Sequence, residues 1–150
     1  MKISISSDHR GYRAKQRIAE MLRNAQHKVE DCGCDNAESC DYPDMAKIAA
    51  GHVSKGESDR AILICGTGLG MSIAANKLRG VRAALCHDEL TAQLSRKHND
   101  ANVLCLPADL IGDQLLFLIV NSWLETKFEG GRHARRIEKI AEIEKENCPG

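Results

Sequence analysis

Arg60-Ala61-Ile62-Leu63-Ile64-Cys65 is an almost uninterrupted apolar run, and it leads directly into the glycine-rich stretch Gly66-Thr67-Gly68-Leu69-Gly70. An apolar run of this length is typical of a central parallel strand that helices cover on both faces. Glycines at alternate positions allow a tight turn into a following helix, which the small residues of 71–77 predict. The stretch therefore predicts a strand, a loop and a helix at the centre of an α/β domain.

Strand-like and helix-like segments alternate on both sides of this central unit. Strands are predicted over residues 2–6, 29–34, 60–65, 81–86 and 101–106, each followed by a helix, and a last helix is predicted over 132–146. Right-handed crossovers place such helices on both faces of a sheet. We therefore expect an α/β fold: a single doubly wound, Rossmann-like domain over residues 1–150, with a five-stranded parallel sheet in the order 2-1-3-4-5 and a C-terminal helical extension.

The composition argues against several classes of protein. Hydrophobic residues make up 43% of the chain and 21 basic residues balance 21 acidic ones, so neither disorder nor a general attraction to nucleic acid is expected. No apolar run approaches the roughly 20 residues of a membrane helix, and the first residues lead into a strand rather than a signal sequence. We expect a soluble, cytoplasmic protein with no nucleic-acid or membrane partner.

The cysteines predict free thiols rather than disulfides. There are seven, an odd number: Cys32, Cys34, Cys40, Cys65, Cys86, Cys105 and Cys148. Several lie inside strand-like runs, which is typical of reduced thiols. Cys32, Cys34 and Cys40 lack the second paired knuckle of a structural zinc site, so no metal is expected.

Two polar loops follow the first and third predicted strands. In a sheet of order 2-1-3-4-5 the strand order reverses between these two strands, and ligands bind beyond their carboxyl ends. The loops at that point are Ser7-Asp8-His9-Arg10-Gly11 and the glycine stretch that follows Cys65. The strand order and the polar residues therefore both predict a ligand-binding site at the ends of the first and third strands.

The glycine stretch and Cys65 are the strongest candidates for chemistry. Alternating glycines can aim backbone N–H groups at an anion or oxyanion where a helix begins, although a plain tight turn is the alternative. The spacing does not fit a dinucleotide fingerprint or a nucleotide phosphate loop. The helix terminus would stabilise a thiolate at Cys65, which makes this residue a candidate base or nucleophile. For Cys86 and Cys105 an inert buried thiol is favoured.

Other polar residues each have a structural alternative. Asp8 and His9 can hydrogen-bond a polyol or only cap their loop. His98 and Asn99 close the helix after the fourth strand, where a histidine can also merely complement the helix dipole. A basic group then follows Gly130-Gly131, and its arginines can hold a phosphate or form a solvated face. This group comprises Arg132, His133, Arg135 and Arg136.

Several strings of residues occur in a specific order over nearly the whole chain. They are Ser7-Asp8-His9-Arg10-Gly11, Asp41-Tyr42-Pro43, Ile64-Cys65-Gly66-Thr67-Gly68-Leu69-Gly70-Met71-Ser72-Ile73-Ala74-Ala75-Asn76-Lys77, Val81-Arg82-Ala83-Ala84, Leu94-Ser95-Arg96-Lys97-His98-Asn99-Asp100-Ala101-Asn102 and Glu129-Gly130-Gly131-Arg132-His133. Together they resemble ribose-5-phosphate isomerase type B and its relatives, the allose-6-phosphate and galactose-6-phosphate isomerases.

The resemblance implies an aldose–ketose isomerase of the pentose phosphate pathway that needs no cofactor. It would interconvert ribose 5-phosphate and ribulose 5-phosphate through a cis-enediol, with Cys65 as the base, Thr67 assisting at the oxygens and His98 as the acid that opens the ring. The implied substrate-binding residues are Asp8, His9, Tyr42, Gly66, Gly68, Leu69, Gly70, Asn99, Arg132 and Arg136. Some of these residues reach the site from a neighbouring subunit in the family, so a homodimer, which could pair further into a tetramer, is expected.

One position departs from the family pattern. Asp109 stands where relatives typically carry an arginine that contacts the substrate phosphate, and Pro107 replaces a glycine. An acid there would repel a phosphate unless Arg10 or Arg13 compensates. A different sugar phosphate, a non-phosphorylated aldose or weakened activity is therefore an alternative. Because a fold does not fix a function, a non-catalytic sugar-phosphate binding domain is a second alternative, and a nucleotide-binding module is a third.

Overall fold

The computed structural model describes residues 1–147, which contain five strands and six helices. The strands are β1 (Lys2–Ser7), β2 (Lys28–Asp31), β3 (Arg60–Cys65), β4 (Ala83–Leu85) and β5 (Val103–Pro107). The helices are α1 (Tyr12–Asn24), α2 (Tyr42–Ser54), α3 (Leu69–Ala75), α4 (Glu89–Asn99), α5 (Asp113–Glu125) and α6 (Arg132–Asn147). Every strand pair is parallel, so the predicted doubly wound α/β class is confirmed.

The order of the strands is β2-β1-β3-β5-β4, so the predicted order 2-1-3-4-5 is wrong for the last two strands. All five residues of β5 are buried, whereas β4 has three residues that are only half-buried. A short, partly exposed strand suits the outermost position in a sheet, and a fully apolar strand needs neighbouring strands on both sides. β5 therefore pairs with β3, and β4 lies outside it.

Two hydrophobic cores cover the two faces of the sheet. Because successive side chains of a strand point to opposite faces, Ile62 and Ile64 of β3 pack with α1, α4 and α5, while Leu63 and Cys65 pack with α2 and α3. Trp123 of α5 is fully buried in the first core. The last residue of β3 thus faces the α2 and α3 side.

One smaller expectation needs revision. β2 ends at Asp31, so the strand predicted over residues 29–34 is too long. Ile140 and Ile143 of α6 are exposed beside a groove of about 640 Å³ next to β4. Cys148 lies outside the described residues. Among the helices of residues 1–147, none has the length and hydropathy that a bilayer crossing requires.

Parallel strands give the sheet two chemically different edges. The loops that follow β1, β3 and β5 lie at the carboxyl ends of the strands, where α1, α3, α4 and α5 begin. We call this side of the sheet the carboxyl edge. The ends of α4 and α5 lie at the opposite edge, which we call the amino edge, close to the starts of the strands. Because β3 has six residues, the two edges are about 20 Å apart.

Candidate active site

Cys65 ends β3 at the carboxyl edge and lies beneath the glycine loop. Its side chain is 5% exposed, and the backbone N–H of Gly68 donates to Cys65 Sγ at 3.1 Å. Gly68 has a φ of 74°, and a Cβ there would lie 2.5 Å from Leu85 Cδ1 and 3.1 Å from the carbonyl carbon of Leu106. Only glycine fits this conformation and space, so the loop needs Gly68 to aim an amide at the sulfur.

The loop after β1 is held tightly against the end of β3. The backbone N–H of Asp8 donates to the carbonyl of Ile64 at 3.1 Å, and Asp8 Oδ1 accepts from the N–H groups of Arg10 and Gly11 at 3.0 and 3.1 Å. A Cβ on Gly11 would lie 2.5 Å from the Ile64 oxygen. One oxygen of Asp8 therefore caps this loop, as the structural alternative proposed, and the loop lies beside Cys65.

Three further predicted residues surround the glycine loop. Tyr42 begins α2, and its ring lies so close to Gly70 that a Cβ there would come within 2.5 Å of it. Thr67 is exposed, and its Oγ1 accepts the N–H of Leu69 at 3.3 Å. His9 Nδ1 accepts the N–H of Cys40 at 3.4 Å. The carboxyl edge thus presents hydroxyl, imidazole and phenol groups.

Asp109, which follows β5, forms an ion pair with Arg10 of the loop after β1. Since β5 pairs with β3, the N–H groups of Ala108 and Asp109 donate to the carbonyls of Cys65 and Gly66 at 2.9 and 3.0 Å. Asp109 Oδ2 then accepts from Arg10 Nε at 2.5 Å. The expected strand order would have placed Asp109 one strand farther away. The acid expected to repel a phosphate is part of an ion pair in the structure.

A second cluster lies at the amino edge, where α4 ends and α6 begins. The rings of His98 and His133 stack with centroids 4.3 Å apart and an interplanar angle of 11°. His133 Nε2 lies 3.7 Å from Glu129 Oε2. Loss of hydration, the neighbouring His98 and then Arg132 lower the pKa of His133. Neutral imidazole is therefore the favoured form of His133.

The same three residues could hold a metal ion only after rearrangement. One ligand atom from each of His98, Glu129 and His133 lies within 4.8 Å of the others. Parallel stacked rings, however, direct their nitrogen lone pairs side by side rather than toward one point, whereas metal ligands must converge on the ion. The stacked arrangement therefore does not match the convergent ligand set of a metal centre.

The predicted site residues thus form two groups within one chain. Asp8, His9, Tyr42, Cys65, Gly66, Thr67, Gly68, Leu69 and Gly70 lie at the carboxyl edge. His98, Asn99, Arg132 and Arg136 lie at the amino edge, and the two arginines are exposed. Because α4 runs from one edge to the other, His98 cannot reach Cys65 of its own chain.

The strand order reverses between β1 and β3, and the Cys65 thiol lies at that point. The chain is therefore a doubly wound α/β protein with a candidate active site at the carboxyl ends of these two strands. The model of the Ribose/Galactose Isomerase family matches residues 3–140, and the chain belongs to this family. Ribose-5-phosphate isomerase B of Escherichia coli K12 is 46% identical over 143 residues, which are 95% of this chain and 96% of the relative.

Solved structures agree with this assignment. Ribose-5-phosphate isomerase B of Clostridium thermocellum superposes with a TM-score of 0.97 at 52% identity, covering 98% of this chain and 99% of that one. The enzyme of Mycoplasma genitalium with bound ribulose-5-phosphate superposes with a TM-score of 0.94 at 48% identity, covering 97% of each chain.

Proposed function

We propose that this protein is an aldose–ketose isomerase that interconverts ribose 5-phosphate and ribulose 5-phosphate. The observation that carries the proposal is the Cys65 thiol beneath the glycine loop, with the Gly68 N–H 3.1 Å from its sulfur. The family relation supports the reaction, because the E. coli relative is a ribose-5-phosphate isomerase B and the Mycoplasma relative holds ribulose-5-phosphate.

Cys65 acts as the base in this proposal. Its thiolate takes the proton from C2 of the open-chain aldose and returns it to C1. The aldehyde oxygen at C1 gains a proton, and the hydroxyl oxygen at C2 loses its proton and becomes the ketone oxygen. The amides of the glycine loop, from Gly66 to Gly70, stabilise the enediolate that forms in between. Thr67 assists proton movement between the two oxygens from its exposed position above the loop.

Sugar binding at the carboxyl edge involves Asp8, His9 and Tyr42. Asp8 and His9 orient the hydroxyl groups, and Tyr42, whose ring lies over Gly70, lines the pocket. Asp8 and His9 lie in the loop after β1, and Tyr42 begins α2. The hydrogen bonds that hold the Asp8 loop against β3 favour the fixed geometry that proton transfer needs.

The remaining roles require a second copy of the chain. In the proposal His98 protonates the ring oxygen and opens the sugar, Asn99 contacts the substrate, and Arg132 and Arg136 bind the phosphate. All four lie at the amino edge, about 20 Å from Cys65 of the same chain. We therefore propose a homodimer in which the amino edge of one copy faces the carboxyl edge of the other.

Exposed apolar side chains support such an association. Ile140 and Ile143 on α6 are 47% and 60% exposed, and Leu69 and Ile73 on α3 are 55% and 61% exposed. A monomer gains nothing from leaving these side chains in water, whereas burial at an interface of isologous symmetry would stabilise a dimer. The α3 residues also follow directly from the glycine loop, so the interface would adjoin the site.

The proposal includes a location in the cytoplasm and a role in the pentose phosphate pathway. The support for the location is the set of free thiols, since six cysteines among residues 1–147 are unpaired. Fractionation of the source cells, followed by immunodetection of the protein, tests the location.

The direct test is conversion of ribose 5-phosphate by the purified protein. We expect ribulose 5-phosphate to appear, and the C2 hydrogen to exchange with deuterium in heavy water at a comparable rate. A parallel panel of ribose, allose 6-phosphate and galactose 6-phosphate identifies the preferred sugar, and a titration with adenine nucleotides tests the nucleotide-binding alternative. Absence of isomerisation of any aldose by the folded dimer would overturn the proposal.

A further inference from the structure

Arg10 and Asp109 form an ion pair that lies directly on the first residue of the glycine loop. Arg10 Nε donates to Asp109 Oδ2 at 2.5 Å. A Cβ built on Gly66 would lie 2.6 Å from that oxygen and 3.1 Å from Arg10 Nε. The pair therefore occupies the space that a side chain at position 66 would fill, and it touches the loop that follows Cys65.

The geometry of this pair leaves the outer end of the guanidinium available. Asp109 engages Nε, and the two terminal nitrogens of Arg10 make no hydrogen bond or ion pair within residues 1–147. The Arg10 side chain is 59% exposed, so this end is accessible to a ligand. The terminal nitrogens of a guanidinium bind two oxygens of a phosphate side by side.

Other cations near the carboxyl edge are less well placed. Arg17 of α1 already pairs with Asp113 of α5. Arg13 is exposed in the first turn of α1, three residues beyond Arg10. Arg10 alone among these three is in contact with the glycine loop.

We propose that Arg10 binds the substrate phosphate from the chain that carries Cys65, and that Asp109 positions its guanidinium. This inference rests on the proposed sugar-phosphate isomerase function. Arg10 would face the arginines of α6 from the second copy, so that the phosphate is held from both chains. A phosphate in contact with the outer end of Arg10 lies farther from Asp109, on the opposite side of the guanidinium, so attraction exceeds repulsion.

Replacement of Arg10 tests the binding role. We expect Arg10→Gln to raise KM for ribose 5-phosphate about tenfold with kcat little changed, since the phosphate is remote from the reacting carbons. Calorimetry with inorganic phosphate should show weaker binding by a similar factor. Arg17→Gln is the matched control, because it also breaks a surface Arg–Asp pair, and it should change neither quantity. A loss with Arg13→Gln but not with Arg10→Gln would overturn the assignment.

Two substitutions of Asp109 separate positioning from repulsion. Asn retains an acceptor for Arg10 Nε and removes the charge, whereas Ala removes both. If Asp109 positions Arg10, KM of Asp109→Ala should exceed that of Asp109→Asn several-fold, and the difference should disappear when Arg10 is also Gln. Equal KM values for the two variants, both below the wild-type value, would show repulsion only and overturn the positioning role.

The phosphate calorimetry keeps this inference distinct from the proposed function. If the wild-type protein binds inorganic phosphate through Arg10 but converts no aldose, the isomerase proposal fails and the binding assignment stands. If the wild type isomerises ribose 5-phosphate and Arg10→Gln leaves KM and phosphate affinity unchanged, the function stands and the assignment of Arg10 fails.

Discussion

Cys65 lies in an apolar core, yet its sulfur contacts a polar backbone group. Its side chain is 5% exposed and packs in the core between the sheet and the helices α2 and α3. Its sulfur nevertheless accepts the Gly68 N–H, so a backbone amide of the glycine loop contacts the reactive atom of the side chain. In the proposed reaction, burial would keep bulk water away from the proton transfer, and the Gly68 amide would hold the sulfur in position.

Cys65→Ala tests the base directly. We expect turnover of ribose 5-phosphate to fall by at least about 100-fold, because positioned general bases contribute about 100- to 10,000-fold. Deuterium incorporation at C2 should fall with it. Cys65→Ser serves as the isosteric control: its hydroxyl fills the same space but is a much weaker acid, so it should be equally inactive. Near wild-type turnover in a folded Cys65→Ala protein would exclude Cys65 as the base.

The lowered pKa of His133 should make the free energy of unfolding depend on pH. Loss of hydration and then the neighbouring His98 and Arg132 lower its pKa in the folded protein, and unfolding restores the ordinary value of about 6.5. Below that pH the unfolded chain binds the proton more readily than the folded one does. The free energy of unfolding should therefore fall as the pH drops from 7 toward 5.

Urea denaturation at several pH values, at one protein concentration, measures this effect. His133→Gln should flatten the decline between pH 7 and pH 5. His27, whose pKa is lowered by burial and by the N-terminus and Arg60, contributes with the same sign. His27→Gln should therefore remove its own share and leave that of His133. A decline in His133→Gln as steep as in the wild type would contradict the role of His133.

The strands and their order show what the sequence could predict and what it could not. The apolar run of β3 and the glycines after it correctly predicted a central strand followed by a helix. The relative places of β4 and β5 were missed because their order depends on which strand can be buried on both sides. The signal was present: residues 103–106 are uniformly apolar, whereas β4 is short and follows Arg82. This exchange of strands is what brings Asp109 to Arg10.

Gly68 tests how closely the glycine loop depends on its backbone. Gly68→Ala should lower the free energy of unfolding by about 1–3 kcal/mol, since it forces a non-glycine residue to adopt a φ of 74° and presses a Cβ against Leu85 and Leu106. Activity should fall as well, because the amide that contacts Cys65 Sγ would shift. Chemical denaturation and turnover of ribose 5-phosphate measure the two effects.

Gly51 provides the matched control for this prediction. It lies inside α2 with no positive φ, and a Cβ there would have no atom within 4 Å. Gly51→Ala should therefore stabilise the protein by about 0.5–1 kcal/mol through helix propensity, with unchanged activity. Equal destabilisation by the two substitutions would mean that the conformation of the loop is not the cause.

At the scale of the whole molecule, one chain holds the two groups of candidate site residues at opposite edges of its sheet, and the proposed dimer would join them as two halves of one site. The sequence identified both halves as candidate residues, but spacing along a chain does not reveal which edge a helix end reaches. His98 lies near the end of α4 and Cys65 near the end of β3, and α4 runs antiparallel to the strands. The direction of α4 therefore separates His98 from Cys65, although the proposed reaction needs both residues in one site.

Complementation between two impaired variants tests whether a second chain joins these halves. His98→Asn should lose turnover of cyclic ribose 5-phosphate, and Cys65→Ala should lose proton transfer. When the two variants are unfolded together and refolded as mixed dimers, a heterodimer would contain one site with both Cys65 and His98 intact. Random pairing makes half of the dimers heterodimers, so activity should recover to about one quarter of the wild-type value. Each variant refolded alone is the control and should remain impaired. If Cys65 and His98 act within a single chain, or if the protein is a monomer, mixing would restore nothing beyond the average of the two variants, and the shared site would be excluded.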